Sequence, residues 1–250
     1  MSVAAKRKPA HPADDDVAAR AAGIDWARVS GDLDGHGWAM FEQLLTAPEC
    51  AALADLYEEE RRFRSTIVMA RHGFGRGEYK YLAYPLPDVI ATLRAALYAR
   101  LAPIADRWNE SMGIGVRYPA THEDFIARCH KAGQSRPTPL LLRYREGDYN
   151  CLHQDLYGEH VFPLQVVILL SEPGRDFTGG EFVLTEQRPR MQSRAEVVPL
   201  RRGDAAVFAV HNRPVQGTRG SYRVNLRHGV SRLRSGQRQT AGIIFHDAKL

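Results

Sequence analysis

The sequence predicts an α+β fold: a double-stranded β-helix (jelly roll) with N-terminal helices packed on one of its sheets. Three observations predict it. Apolar residues recur at helical spacing only before Pro139, whereas short runs suited to strands follow it. Those runs are Leu140 to Tyr144, Phe162 to Leu170, Gly180 to Leu184, Ala195 to Leu200, Ala205 to Val210, Tyr222 to His228 and Arg238 to Phe245, separated by Gly, Pro and Asp turns. Seven or eight short strands at this spacing suit two packed antiparallel sheets. Finally, 250 residues with 44% apolar content can bury one full core.

Residues 1–22 are rich in Ala, Lys, Pro and Asp, carry the run Asp14-Asp15-Asp16, and read as a disordered or loosely attached tail. Residues 23–250 read as a single domain, with 23–138 as mainly helical support and substrate lid and 139–250 as the jelly-roll core. A short helix and a first strand around Gly37 to Phe41 fill Trp26 to Leu45. A helix then starts at Thr46, a suitable N-cap with Pro48 in the first turn, and Cys50, Leu53, Ala54 and Tyr57 line one face. After the Pro85/Pro87 break, Ile90, Leu93, Leu97, Leu101, Ile104 and Trp108 form the apolar stripe of a longer helix. A third helix spans Thr121 to Ala132.

No run approaches the ~18 consecutive apolar residues of a membrane helix. The basic residues near Met1 precede no apolar signal core, so the expected location is cytoplasmic. Cys50, Cys129 and Cys151 lack metal-type spacing and read as reduced thiols, with Cys151 a small buried residue near the site. The net charge is +5, and from Arg188 to Arg238 twelve arginines face only Glu196 and Asp204. Such a block suits a phosphate backbone, or equally a solvated basic face in an arginine-rich chain.

The chemistry concentrates in His153-Gln154-Asp155, His228 and Arg238. Two imidazoles and one carboxylate are the ligand set of a mononuclear non-haem Fe(II) site with open positions. His153 and Asp155 stand at i and i+2, which on a strand places both on one face. His211 competes with His228 as third ligand, but only His228 is followed by a basic residue, Arg238, at the start of a last strand. That guanidinium suits a dicarboxylic co-substrate through two parallel charge-assisted hydrogen bonds. Thr240, two residues on, shares its strand face. Arg223, Asn225 and Arg227 fall on the face opposite His228.

At these residues the chain resembles the Fe(II)/2-oxoglutarate-dependent dioxygenases. The resemblance runs from about Leu140 to Phe245 and takes in Leu142-Arg143-Tyr144, Gly179-Gly180-Glu181-Phe182, Gly203-Asp204, His228-Gly229-Val230 and Arg238-Gln239-Thr240. It implies Fe(II) held by His153, Asp155 and His228, 2-oxoglutarate held by Arg238, Thr240 and Tyr144, and O2 as oxidant. Within that superfamily the chain is similar to a bacterial subgroup suspected of acting on nucleic acid, as the alkylation-repair dioxygenases do. The expected partner is therefore single-stranded or locally opened nucleic acid, and no obligate protein partner is indicated. Substrate-side candidates are Phe74, Arg76 and Tyr79 in the glycine-rich stretch Arg71 to Tyr81, Tyr157 and Glu159 after Asp155, and Arg188 and Arg190 in a turn. The order Gly203-Asp204, His228, Arg238 also resembles prolyl hydroxylases, so a prolyl, peptidyl or free amino-acid hydroxylase is the alternative. A binding module without turnover is the third reading.

Overall fold

The computed structural model describes residues 16–156, 158–218 and 220–249. Its helices are α1 (Val17–Ala22), α2 (Trp26–His36), α3 (Ala47–Asp55), α4 (Asp88–Ser111) and α5 (His122–Lys131). Four of them start at a side chain that accepts from a first-turn amide: Asp16, Asp25, Thr46 and Thr121. Thr46 and Glu49 cap α3 reciprocally, with Pro48 in its first turn. The expected loose tail does not extend to residue 22. Val17 and Ala21 of α1 are buried in the core that also holds α4, and Arg20 pairs with Glu49 at 2.7 Å. Residues 1–15 of that tail lie outside the described residues.

Eight core strands follow Pro139: β1 (Leu140–Arg145), β2 (Tyr149–His153), β3 (Leu164–Leu169), β4 (Phe182–Gln187), β5 (Arg194–Val198), β6 (Ala205–Ala209), β7 (Gly220–Val230) and β8 (Leu233–Ile243). Among the described residues they build two antiparallel sheets. The larger runs Trp38–Phe41, β6, β3, β8, β1, Glu78–Leu82, Phe63–Val68, and the smaller runs β5, β4, β7, β2, Gly75–Arg76. The segment 23–138 is thus not mainly helical support alone, because it adds three strands to the large sheet and one to the small. Phe63–Val68 and Glu78–Leu82 carry Arg64, Ser65, Glu78 and Lys80, and pairing of the first to the second and of the second to β1 holds them in place of an apolar pattern.

The large sheet is buried on both faces, which explains why every residue of β3 and β6 is buried. Strand alternation splits their side chains between two cores. Val166, Ile168, Ala205 and Val207 face the helices together with Leu97, Leu101 and Trp108 of α4. Val167, Leu169, Ala206 and Phe208 face the small sheet and meet Phe182, Leu184 and Val230. The helices therefore pack on the outer face of the large sheet, and the second core lies between the sheets.

An ion cluster ties the helices to the end of β8. Arg94 of α4 donates to the Ile244 carbonyl at 2.9 Å and to Asp247 at 2.7 Å, and Tyr84 and His130 approach the other Asp247 oxygen, each at 2.9 Å. Burial alone would push the Asp247 carboxyl up, but Arg94, His130 and Tyr84 hold it below the ordinary aspartate range. Its contribution to stability is present above the unfolded aspartate value and is lost as pH falls through the lower folded value. Asp247→Ala leaves a buried, unpaired guanidinium, so urea unfolding at neutral pH is expected to show a loss on the order of 3–5 kcal/mol. The loss should shrink toward zero in acid, where the wild-type carboxyl is itself protonated.

Candidate metal centre and co-substrate pocket

Antiparallel pairing of β2 with β7 sets His153 directly opposite His228. The two imidazole centroids are 4.2 Å apart. Strand β2 stops at His153, so Asp155 is not on the strand as the i, i+2 spacing suggests. It reaches the same place from the following turn because Gln154 pins that turn to β7, donating to the Leu226 carbonyl at 2.6 Å and to Asn225 at 3.2 Å. The Asp155 carboxylate then lies between the rings, 3.5 Å from His153 Nε2 and 3.4 Å from His228 Nε2. One ligand atom from each of the three residues lies within 4.8 Å of the others.

The protonation pattern suits a cation. His153 Nδ1–H donates to the Cys151 carbonyl at 2.8 Å, which fixes the ring with Nε2 toward Asp155. Burial disfavours charge on Asp155, yet the two histidines outweigh it and hold the carboxyl well below its usual range. Burial likewise disfavours a charged His153, but Asp155 beside it raises its pKa, whereas burial dominates at His228 and lowers it. Gly229 makes the tight approach of β7 to β2 possible, since a Cβ there would meet the Asn150 carbonyl oxygen at 2.7 Å.

These residues open into a cavity of about 240 Å³ between the sheets. At one end is Arg238, 2% exposed, whose Nε and Nη1 are buried with no partner among the described residues. Burial pulls its pKa down to about 10, which leaves it charged at neutral pH. A buried cation costs several kcal/mol unless an anion meets it, so this end of the cavity suits a carboxylate or phosphate. Tyr144 and Thr240 line the same end, and the Tyr144 ring centre is 5.7 Å from the guanidinium carbon. Gly180, at φ +64°, lets the turn before β4 close over this group, because a Cβ would meet Leu233 at 2.5 Å and Arg238 Cδ at 3.1 Å. In this chain Gly179-Gly180-Glu181-Phe182 is that turn, with Glu181 accepting from Ser231 and Phe182 entering the cavity wall.

Phe74 and Tyr79 line the cavity as well. Phe74 is 44% exposed and stacks on His72 with centroids 5.3 Å apart. The stretch around it is pinned to both sheets, Gly75–Arg76 to β2 and Glu78–Leu82 to β1, and forms a wall of the cavity. Of the remaining substrate-side candidates, Arg76, Glu159, Arg188 and Arg190 do not line it. Arg76 faces Asp148 at 3.8 Å, Glu159 is exposed with its amide on Gln134, and Arg188 pairs with Glu186 at 2.9 Å. Arg190 occupies the turn after β4 with φ 63°, and Tyr157 lies outside the described residues. His211 is not part of the His–Asp–His group; its carbonyl accepts from Leu226 and its ring meets Asn212. Arg223 and Arg227 are exposed while Val224, Leu226 and His228 are buried, in line with the strand alternation. Cys151 is exposed rather than buried. Sequence reading passed over Phe208, whose ring is 4.7 Å from that of His228, and Gln165, both in the cavity wall. Gln165 is the one polar residue in the apolar run after Pro163, a signal visible in the sequence.

Residues 77–248 match the model of the family Oxygenase-NA, described as an oxygenase catalysing oxidative methylation of damaged DNA. Two curated relatives, uncharacterised proteins from two strains of Mycobacterium tuberculosis, are each 48% identical over 191 residues, covering 75% of this chain and 82% of theirs. Among solved structures, a Pseudomonas putida prolyl-4-hydroxylase superposes with a TM-score of 0.53 at 15% identity, over 90% of this chain and 100% of that one. An oxidoreductase of the 2OG-Fe(II) oxygenase family from Burkholderia pseudomallei gives 0.52 at 18% identity, over 91% and 94%. Both likenesses are of fold.

Three ligands leave no redundancy. His153→Ala, Asp155→Ala and His228→Ala are each expected to abolish binding of Fe(II), or of Co(II) as a stable substitute, in calorimetric titration. His211→Ala is expected to bind like wild type, and the reverse pattern would move the third ligand to His211.

Proposed function

The chain belongs to the Oxygenase-NA family, and from that membership we propose that it is an Fe(II)- and 2-oxoglutarate-dependent dioxygenase that hydroxylates or oxidatively demethylates a nucleic acid base. One observation carries this reading: the ionised Asp155 between two imidazoles shares a cavity with a buried, unpaired arginine. The residues present fit the metal, since a ring nitrogen of His153, a ring nitrogen of His228 and an Asp155 carboxylate oxygen converge within 4.8 Å. Placing β1, β3, β6 and β8 in one sheet and β2, β4, β5 and β7 in the other supports the jelly-roll reading.

His153, Asp155 and His228 would hold Fe(II) and leave positions open for the co-substrate and O2. Bound there, the metal with 2-oxoglutarate and O2 supplies the oxidising power that turns a substrate C–H into C–OH, as 2-oxoglutarate becomes succinate and CO2. Arg238 takes the far carboxylate of 2-oxoglutarate, with the Thr240 and Tyr144 hydroxyls beside it. Val167, Phe182, Phe208 and Ile244 keep water from the reacting centre. When the carbon attacked is an N-methyl group, the N–CH2OH product releases formaldehyde and restores N–H.

The aromatic wall favours a base as target. Phe74, Tyr79 and Tyr81 line the cavity and suit a flat ring, which must leave a duplex stack to enter an enclosed space. The arginine block is less available than its composition implies. Arg213 and Arg238 are buried, Arg213 is bound to Glu186, and Arg188, Arg194 and Arg202 face Glu186, Glu196 and Glu172. Arg227, Arg232 and Arg234 remain exposed beside the turn from β7 to β8 and are the better candidates for phosphate contacts. The likeness to the prolyl-4-hydroxylase, at 15% identity, concerns the fold and leaves the target open.

Removing Arg238 is expected to leave iron binding intact and to weaken 2-oxoglutarate by on the order of 3–5 kcal/mol in a binding titration. Arg238→Lys should recover part of this, because an ammonium cannot offer the two-pronged fork. For the target, succinate and formaldehyde release should rise on addition of a single-stranded oligonucleotide carrying an N-methylated base. Oligonucleotide affinity should fall with salt at a log–log slope of roughly −0.7 per phosphate contacted. Stimulation by a proline-containing peptide or a free amino acid, with no response to any oligonucleotide, would replace the base reading by the amino-acid one.

A further inference from the structure

Apart from Arg238, Thr240 and three tyrosines, the large-sheet side of the cavity wall is apolar, with one uncharged amide in it, Gln165. Gln165 is 6% exposed, and its Oε1 is buried without a hydrogen-bond partner among the described residues. A lone buried carbonyl oxygen costs free energy that Leu or Val at the same place would avoid. Register locates it. Gln165 of β3 stands opposite Phe208 of β6, and the Phe208 ring is 4.7 Å from the His228 ring. The amide is therefore at the metal end of the cavity. Arg238 is at the other end of β8, whose Thr240 pairs with Leu169 and Ile243 with Val166.

From this placement we infer that Gln165 is the specificity-determining residue that reads the hydrogen-bonding edge of the group presented to the metal. The inference rests on the base reading of the preceding section. The aromatic side chains of the cavity contact faces, and every base has a π-face, so they discriminate poorly. A carboxamide offers one acceptor and two donors in a plane, and can match the polar edge of one base while leaving an unpaired group against another. 2-Oxoglutarate brings no N–H donor to satisfy Oε1, whereas a base edge does.

The test uses the iron-loaded full-length enzyme and short single-stranded oligonucleotides, each with one N-methylated adenine, cytosine, guanine or thymine. Wild type should rank the four unequally. Gln165→Leu, which keeps the volume, should raise KM for the best of them by roughly 10- to 100-fold and flatten the ranking. Fluorescence anisotropy with metal but without O2 should show the same loss in binding, while the dissociation constant for 2-oxoglutarate stays at its wild-type value. Gln165→Glu removes the two donors but keeps a polar side chain, and should reorder the ranking instead of flattening it. Unchanged KM and ranking in both variants would overturn the inference, as would a loss of 2-oxoglutarate affinity that accounts for the whole effect. Wild type that processes none of the oligonucleotides would remove the base reading itself, a result distinguishable from an active wild type matched by its variants.

Discussion

The pairing of β2 with β7 is the constraint on which the rest of the site depends. It places His153 opposite His228, two residues far apart in the chain, and the turn held by Gln154 delivers Asp155 between them. A carboxylate there is stable as an anion only because two imidazoles face it, and those imidazoles keep Nε2 inward only because the sheets close around them. Gly229 is a condition of that pairing, since any larger residue would push β7 away from the Asn150 carbonyl.

The second unsatisfied element, Arg238, follows from the same architecture. The inner face of β8 brings Thr240 and Arg238 beneath the turn at Gly180, with Tyr144 of the neighbouring strand beside them. An isolated buried guanidinium is costly, and it marks where an anion belongs. Two imidazoles and a carboxylate at one end and a cation at the other define a molecule that chelates a metal and ends in a carboxylate. Helices α4 and α5 contribute from outside, through the Arg94–Asp247 cluster that anchors the segment following β8.

Much of this was legible in the sequence. Thr46 and Pro48 marked a helix start because capping is local chemistry, and the Ile90 to Trp108 stripe marked α4 because it follows one helical face. The His153, Asp155, His228 and Arg238 set was readable because each residue type has few structural uses in that order. What was hidden depends on long-range pairing. Phe63–Val68 and Glu78–Leu82 look polar because one is at the sheet edge and the other carries Lys80, whose buried ammonium pairs with Glu60 and with the Tyr57 carbonyl. The fate of the arginines was equally hidden: Arg213 is bound to Glu186, a partner that only the sheet register brings near, and Glu186 also holds Arg188, two residues on in the chain. Helix α1 escaped notice because its acidic, alanine-rich surroundings resemble a tail, although Val17 and Ala21 bury one side of it.

The most direct measurement is a crystal structure grown without O2 in the presence of Fe(II) and 2-oxoglutarate. The expected result is one metal ligated by His153, Asp155 and His228, chelated by the 2-oxo acid end, with the far carboxylate paired to Arg238. A metal bound elsewhere, or through His211, or a co-substrate whose carboxylate leaves Arg238 unpaired, would contradict it.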